Sequence, residues 1–156
     1  MNACIREAVT RDLDRVAALW TSITHHHQSI DPVFQLRPHA DDQIKALLRT
    51  LSRDPDAKIL VYDDNGDISG LCIVRIDHSP PIMRETGRAE ITDLGVREDF
   101  RRKGIGTRLV EEALAWVRTS GVERVEIHVA KGNPAGQGFW RARGFGDLMD
   151  VLHKRL

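Results

Sequence analysis

The feature that most constrains the fold of the chain is an apolar strand followed closely by a helix start that is rich in basic residues and glycine. The strand-like residues end at Val96, and the basic and glycine-containing segment 101–107 follows shortly after. Apolar residues then recur at near-helical spacing, which predicts a helix that begins at about residue 105. These residues are Ile105, Leu109, Ala113 and Trp116. A strand, a short loop and a helix are therefore expected to follow one another here.

The start of this helix has the properties of a phosphate site. The backbone N–H groups from Lys103 to Thr107 have no partner inside the helix and point out of its positive end. Glycine at positions 104 and 106 lets a phosphate approach the backbone, and Arg101, Arg102 and Lys103 add positive charge. Taken alone, however, the segment is more typical of an ordinary solvated helix end with basic side chains in water.

The spacing of the glycines separates this segment from two common nucleotide-binding motifs. A Walker A loop requires Gly-x-x-x-x-Gly-Lys-Ser/Thr, and a dinucleotide fold requires Gly-x-Gly-x-x-Gly followed by an acidic residue. Neither fits the segment Arg101-Arg102-Lys103-Gly104-Ile105-Gly106. This segment resembles instead the Arg/Gln-x-x-Gly-x-Gly/Ala signature of the GCN5-related N-acetyltransferases. In that family, the loop and the helix start bind the pyrophosphate of acetyl-coenzyme A.

A second motif further along the chain resembles the same family. Asn133 is followed seven positions later by Trp140, and then by Gly144-Phe145. In the family, the asparagine contacts the coenzyme, and a tyrosine at the aromatic position often protonates the departing thiolate. The indole of Trp140 can donate a hydrogen bond but cannot act as a general acid, so the thiolate would take its proton from water. Trp140 is expected either to pack against the pantetheine or to lie in the core.

Hydrophobic periodicity predicts an α+β fold with the element order βααβββαβαβ, in which about four helices flank a mixed central sheet. The strands are predicted at residues 4–9, 59–62, 68–76, 88–96, 124–129 and from 145 towards the C-terminus. The helices are predicted from 11 to the histidines at 25–27, along 44–51, from 105 to Gly121, and after Asn133. This order matches the acyl-CoA N-acyltransferase (GNAT) fold over essentially the whole chain, so residues 1–156 are expected to form a single domain.

Glu90 and Asp93, in the strand before the loop, are the candidate proton acceptors. Acetyl transfer requires a neutral amine, and a carboxylate can take the proton of the ammonium group directly or through water. Period-two alternation places the two residues on opposite faces unless a bulge intervenes, and Glu90 is slightly preferred. The alternative roles are a solvated carboxylate for Glu90 and a structural acceptor at a bulge for Asp93. The resemblance also implies that this strand splays from its neighbour near Leu94, Gly95 and Val96, whose backbone groups would bind the pantetheine.

Three consecutive histidines, His25 to His27, suggest a metal site at first sight. Adjacent residues on a helix point in diverging directions, and no ligand spacing accompanies them, so no metal is expected. Favourable charge at a helix C-terminus is the preferred explanation, and one histidine lining the acceptor cleft is the alternative. His128 and Phe34 are further candidates for the acceptor site; their alternatives are a surface role and core packing, respectively.

Charge and hydropathy exclude several classes of partner. The 23 Lys and Arg residues balance the 23 Asp and Glu residues, so no overall basic field attracts nucleic acid or an anionic membrane. No run approaches 18 apolar residues and no signal-peptide pattern opens the chain, which predicts a soluble, cytoplasmic protein. Cys4 and Cys72 lie in strand-like runs and are expected to be reduced.

These observations predict an N-acetyltransferase that transfers an acetyl group directly from acetyl-coenzyme A to a primary amine in a ternary complex. A non-catalytic acyl-coenzyme A binding or sensing module is the alternative, because the usual tyrosine is missing. The acceptor is expected to be a small-molecule or protein amine, and the segments 25–38 and 77–87 carry no code that identifies it. Dimers are common in the resembled family, so a homodimer is a further expectation.

Overall fold

The computed structural model describes residues 2–156, in which a five-stranded sheet carries helices on both faces. The strands are β1 (Cys4–Glu7), β2 (Ala57–Asp64), β3 (Asp67–His78), β4 (Gly87–Val96) and β5 (Val125–Ile127). The α-helices are α1 (Leu13–Ile30), α2 (Asp41–Arg53), α3 (Ile105–Thr119) and α4 (Pro134–Arg141). Short 3₁₀ turns occur at Thr10–Asp12, Pro32–Phe34 and Glu98–Phe100. The predicted α+β class, mixed sheet and four flanking helices are confirmed.

The strands lie side by side in sequence order, from β1 to β5. The first four pair antiparallel, whereas β5 pairs parallel to β4. Asn65 and Gly66 both have positive φ angles, 54° and 93°, in the two-residue turn between β2 and β3. This conformation is the one that a tight hairpin requires, so the Asn-Gly prediction is confirmed.

Both faces of the sheet are buried, and this divides the core into two layers. Leu71 and Ile73 of β3 point towards α1 and α2, whereas Cys72 and Val74 point towards α3 and α4. The strand therefore reads as a continuous apolar run rather than as an alternating one. Burial also raises the pKa of the Cys72 thiol to about 12, which keeps the thiol protonated and unreactive.

The end of α1 and the segment after residue 145 differ from the prediction. Helix α1 continues past the histidines to Ile30, because the chain is broken only by Asp31-Pro32. Residues 145–156 carry no strand in the structure, so that the sheet has five strands where the sequence predicts six. The apolar residues of this segment come in adjacent pairs, such as Leu148-Met149, which point in opposite directions in an extended chain, and their side chains are exposed.

Candidate active site

An opening in the sheet between β4 and β5 lies at the centre of the candidate site. The parallel pairing of these strands extends only from Ala89 to Ile91 on β4. Beyond Ile91, β4 continues to Val96 and is paired on its other side with β3 alone. Leu94, Gly95 and Val96 therefore line the opening, and backbone groups that point away from β3 face it. This geometry agrees with the expected splay.

At the far end of β4, a left-handed turn leads the chain into α3. Arg102 and Gly104 have φ angles of 63° and 74°, and Gly104 precedes the first helical residue, Ile105. Glycine is favoured at position 104 because an L side chain is strained at this φ. The fold does not demand glycine at position 106, since a Cβ there would lie 3.6 Å from the Phe139 ring, which is an ordinary contact. The first-turn N–H groups of α3 remain available to an anion.

The loop cations do not all point at this helix start. The Nε of Arg101 donates to the carbonyl oxygen of Val96 at 3.0 Å. The Nζ of Lys103 donates to the carbonyl oxygen of Asp99 at 3.3 Å and lies 4.8 Å from the centroid of Phe100. Arg102 is exposed. The sequence predicted that three cations add positive charge at the helix start. In the structure, the side chains of Arg101 and Lys103 instead donate to backbone carbonyl groups that precede the helix.

Arg143 is a cation at the same helix start that the sequence analysis did not assign. Its guanidinium donates to the Thr107 hydroxyl and, at 2.7 Å, to the carbonyl oxygen of Phe139. The guanidinium carbon lies 3.5 Å from the centroid of the Phe139 ring. Its Nε is buried without a hydrogen-bond partner, and within residues 2–156 no carboxylate lies within 4.0 Å of the side chain. The only sequence signal is a basic residue before Gly144, and nothing in the sequence places it against Thr107, 36 positions earlier.

The second motif forms the start and the core of α4. Asn133 is the N-cap, its Oδ1 accepts from the Gly136 N–H at 3.0 Å, and Pro134 opens the helix, as predicted. Trp140 is buried, with its ring centroid 5.1 Å from those of both Phe139 and Phe145 in edge-to-face arrangements. Of the two roles expected for Trp140, the structure favours the core.

A bulge in β4 brings the two candidate carboxylates to one face of the sheet. Asp93 pairs with Ile73 and Ile91 pairs with Val74, so Thr92 is the extra residue. The bulge reverses the alternation, and Asp93 consequently lies on the face of α1 together with Glu90. The prediction that the two residues lie on opposite faces is wrong, because the bulge falls between them rather than at Leu94–Gly95.

Asp93 is held by one hydrogen bond at each carboxylate oxygen. The indole Nε1 of Trp20 donates to Oδ1 at 2.8 Å, and the hydroxyl of Thr92 donates to Oδ2 at 2.7 Å. Burial raises the pKa of Asp93 above its ordinary value, and these two hydrogen bonds oppose the shift. Asp93 is therefore a partly buried carboxylate of increased basicity on the face that α1 covers.

Glu90 has a different environment, because it is surrounded by cations. Its Oε2 lies 3.8 Å from the Nη2 of Arg75 and 3.4 Å from the Nη1 of Arg88. Its Oε1 lies 3.6 Å from the Nδ1 of His128, which is an exposed side chain. Glu90 itself is buried. It is therefore not the solvated carboxylate that the alternative interpretation expected.

The three histidines diverge, as predicted, and His27 lies close enough to Asp93 for the two charges to interact. His25 contacts Gln28 at 3.1 Å, whereas the His27 ring lies 5.6 Å from that of Phe34. Burial lowers the pKa of His27, repulsion from His26 adds to the effect, and the charge of Asp93 opposes it. His27 is thus a largely neutral ring at pH 7. This environment favours the cleft-lining alternative for one histidine over simple helix-end charge.

Within residues 2–156, no group of three or more His, Cys, Asp or Glu side chains is arranged to hold a metal ion. In the same residues, none of the helices has both the length and the apolar character needed to cross a membrane.

A sequence model described as "Acetyltransferase (GNAT) family" matches residues 20–145. The chain belongs to this acetyltransferase family. The match includes the carboxylates of β4, the left-handed turn before α3 and the Asn133 motif.

Among curated proteins, this GNAT chain is 33% identical over 96 residues to GCN5-related N-acetyltransferase 4, chloroplastic, of Arabidopsis thaliana, covering 58% of the chain and 32% of that protein. It is 31% identical over 94 residues to the N-terminal acetyltransferase complex ARD1 subunit homolog of Dictyostelium discoideum, covering 60% and 44%. The chain thus spans less than half the length of these relatives.

Solved structures confirm the fold of this GNAT protein at low sequence identity. A tetramutant of the BH1408 protein from Bacillus halodurans superposes with a TM-score of 0.86 at 22% identity, over 98% of this chain and 99% of that one. The aminoglycoside N-acetyltransferase AAC(6')-Iy in complex with CoA superposes with a TM-score of 0.79 at 17% identity, over 99% and 95%.

Proposed function

We propose that the protein is an acetyl-coenzyme A dependent N-acetyltransferase that transfers an acetyl group directly to a primary amine in a ternary complex. The observation that carries the proposal is the opening between β4 and β5 beyond Ile91. It has an anion-competent helix start at one end and the Asp93 carboxylate on its α1 side. The crystal structure of a predicted acetyltransferase from Clostridium acetobutylicum with acetyl-CoA has the same fold, with a TM-score of 0.78 at 15% identity, which supports the choice of coenzyme.

We assign the coenzyme to the α3 and α4 side of this opening. The pyrophosphate would bind the first-turn N–H groups of α3, and the pantetheine would pair with free backbone groups along β4. Arg143, which has no carboxylate partner among residues 2–156, would supply charge next to the helix start. The proposed coenzyme-binding residues are Leu94, Gly95, Val96, Arg101, Arg102, Lys103, Gly104, Ile105, Gly106, Thr107 and Asn133; Trp140, which is buried in the core, is not among them. Phe34 and His128 are the proposed contacts of the acceptor.

Asp93 is the better candidate for the proton acceptor, and Glu90 is the alternative. A general base should have a pKa close to the working pH, and burial moves the pKa of Asp93 in that direction. Glu90 already serves as a counter-ion to Arg75 and Arg88. As the amine nitrogen forms its bond with the acetyl carbon, the amine proton passes to Asp93. The C–S bond then breaks, and the thiolate takes a proton from water, since Trp140 is packed in the core.

An unbiased panel of amines, assayed for thiol release, tests the proposed activity. The panel should include polyamines, amino acids, peptide N-termini and aminoglycosides, because named structural neighbours act as aminoglycoside acetyltransferases. Calorimetry with acetyl-coenzyme A provides the matched binding measurement. Amine-dependent thiol release supports the enzyme. Tight coenzyme binding without release of thiol for any amine supports the sensing module instead.

A further inference from the structure

We infer that Trp20 is a positioning residue that orients the Asp93 carboxylate towards the acceptor amine, in cooperation with Thr92. The inference rests on the proposed role of Asp93 and adds to it a residue from a different element. Trp20 lies in the middle of α1, 73 residues away from Asp93 in the sequence, and neither the phosphate loop nor the Asn133 motif includes it.

The two hydrogen bonds fix the orientation of the Asp93 carboxylate, because each of its oxygens has its own donor. Trp20 binds Oδ1 from α1 at 2.8 Å, and Thr92 binds Oδ2 from β4 itself at 2.7 Å. Thr92 can do so because it is the bulged residue, adjacent to Asp93 and unpaired with β3. Each oxygen keeps a second acceptor position, and the carboxylate cannot rotate without losing a hydrogen bond. A carboxylate held in this manner presents its free lone pairs in one direction.

The fold brings the indole to this position by a close contact one turn further along α1. A Cβ added at Gly95 would lie 2.1 Å from the Cδ1 of Ile23. The side chain of Ile23 therefore rests on the bare backbone of β4, and α1 approaches the strand more closely than a larger residue would allow. Trp20 and Ile23 are three residues apart and share a helix face. The contact at Gly95 thus sets the distance that lets Trp20 reach Asp93.

The two hydrogen bonds also affect when Asp93 can accept a proton. An N–H or O–H that donates to a carboxylate favours its charged form, so both donors hold the pKa of Asp93 below the value that burial alone would give. The other titratable groups that act on Asp93 are His27 of α1, Glu90 of β4 and the buried thiol of Cys72 on β3. Only Trp20 and Thr92 bond to it directly among residues 2–156.

The test compares Trp20→Phe and Thr92→Val with wild type in pH profiles of kcat/KM for the best amine. Phenylalanine keeps an aromatic ring on α1 but removes the donor, and valine removes the hydroxyl without touching α1. We expect the acid limb to move to higher pH in both variants, with a loss of about tenfold at the acid end and a smaller loss at the plateau. Trp116→Phe is the matched control, because Trp116 packs on the opposite face of the sheet and should leave the profile unchanged.

The possible outcomes distinguish a failure of this inference from a failure of the proposed function. If Asp93→Asn keeps the wild-type rate and profile, the proposed role of Asp93 is wrong. If Asp93→Asn abolishes the acid limb but Trp20→Phe lowers the rate equally at every pH, Trp20 has a merely structural role and the inference is overturned. Titration of Asp93 by NMR of carboxyl-labelled protein provides a readout independent of turnover. There too, the pKa of Asp93 must rise in Trp20→Phe for the inference to stand.

Discussion

At the scale of single residues, two carboxylates three positions apart on β4 have opposite surroundings. Glu90 is neutralised by Arg75 and Arg88, whereas Asp93 receives only neutral donors. A buried carboxylate without a cation is costly, so natural chains keep it where it has a use. This contrast supports the proposal that Asp93 is the proton acceptor and that Glu90 balances the charge of Arg75 and Arg88.

We expect Asp93→Asn to lower turnover by roughly 10²- to 10⁴-fold, the usual contribution of a general base, and to remove the acid limb of the pH profile. Glu90→Gln should reduce turnover much less and should reduce stability modestly, since it removes one of the carboxylates that neutralise Arg75 and Arg88 while Asp77 and Glu126 remain. Steady-state kinetics of both variants check the expected turnover, and urea unfolding checks the expected stability. A loss of the acid limb in Glu90→Gln alone would reverse the assignment.

The pKa of Asp93 also predicts how stability depends on pH. Since the folded pKa is raised, the folded protein binds more protons than the unfolded chain between the two pKa values, and stability falls as pH rises through that window. Asparagine has no carboxyl group to ionise, so the Asp93→Asn variant does not lose stability in this window. Asp93→Asn should therefore be at least as stable as wild type at pH 7, and the difference should shrink at acidic pH. Urea unfolding at several pH values measures it, and a variant equally destabilised at every pH would contradict the prediction.

Arg143 allows a separate test of the coenzyme site. Replacing it with glutamine should weaken acetyl-coenzyme A binding on the order of tenfold, because a charge-assisted hydrogen bond to phosphate would be lost. The loss should be larger at low salt. Arg141→Gln is the matched control, since Arg141 pairs with Asp147 at 2.7 Å and is exposed. Calorimetry at two salt concentrations measures both, and equal affinities for the two variants would remove Arg143 from the site.

At the scale of elements, the two glycines at the start of α3 serve different purposes. Gly104→Ala forces a side chain into a left-handed conformation and should reduce stability by about 1–2 kcal/mol. Gly106→Ala makes only ordinary contacts in the folded protein, so it should fold normally and lose affinity for acetyl-coenzyme A. Denaturant unfolding and calorimetry distinguish the two effects. A Gly106→Ala variant with wild-type affinity would show that the coenzyme does not approach this turn.

The sequence predicted the elements well and the contacts between them poorly. Periodicity and turn residues such as Asn65-Gly66 are local, so they placed the helices, the hairpin and the Asn133 cap of α4. The bulge at Thr92 depends on how β4 pairs with β3, and the bond from Trp20 depends on how closely α1 packs at Gly95. Both are long-range properties that a periodic pattern does not contain. For the same reason, the sequence found the carboxylates and the phosphate loop but missed Trp20 and Arg143.

At the scale of the whole molecule, the proposed function places the two reactants on opposite faces of the sheet, with the opening between β4 and β5 as their meeting point. The coenzyme is assigned to the α3 and α4 face and the acceptor to the α1 face, so both can be bound at once. Within residues 2–156, the thiols offer no route through an acetylated enzyme: Cys72 is buried with its pKa raised to about 12, and Cys4 lies on β1 at the opposite edge of the sheet from β5. These positions support the proposal of a sequential mechanism, in which both substrates bind before either product leaves.

Initial rates should accordingly give intersecting rather than parallel double-reciprocal lines when acetyl-coenzyme A and the amine are varied together. Incubation with radiolabelled acetyl-coenzyme A alone should leave no label on the denatured protein, because no thiolate accepts the acetyl group. Cys72→Ala, which removes a small buried side chain, should keep the sequential pattern and most of the turnover, apart from a modest loss of stability. Parallel lines together with a labelled protein would establish a covalent intermediate, and abolition of both by Cys72→Ala would identify its thiol as the nucleophile.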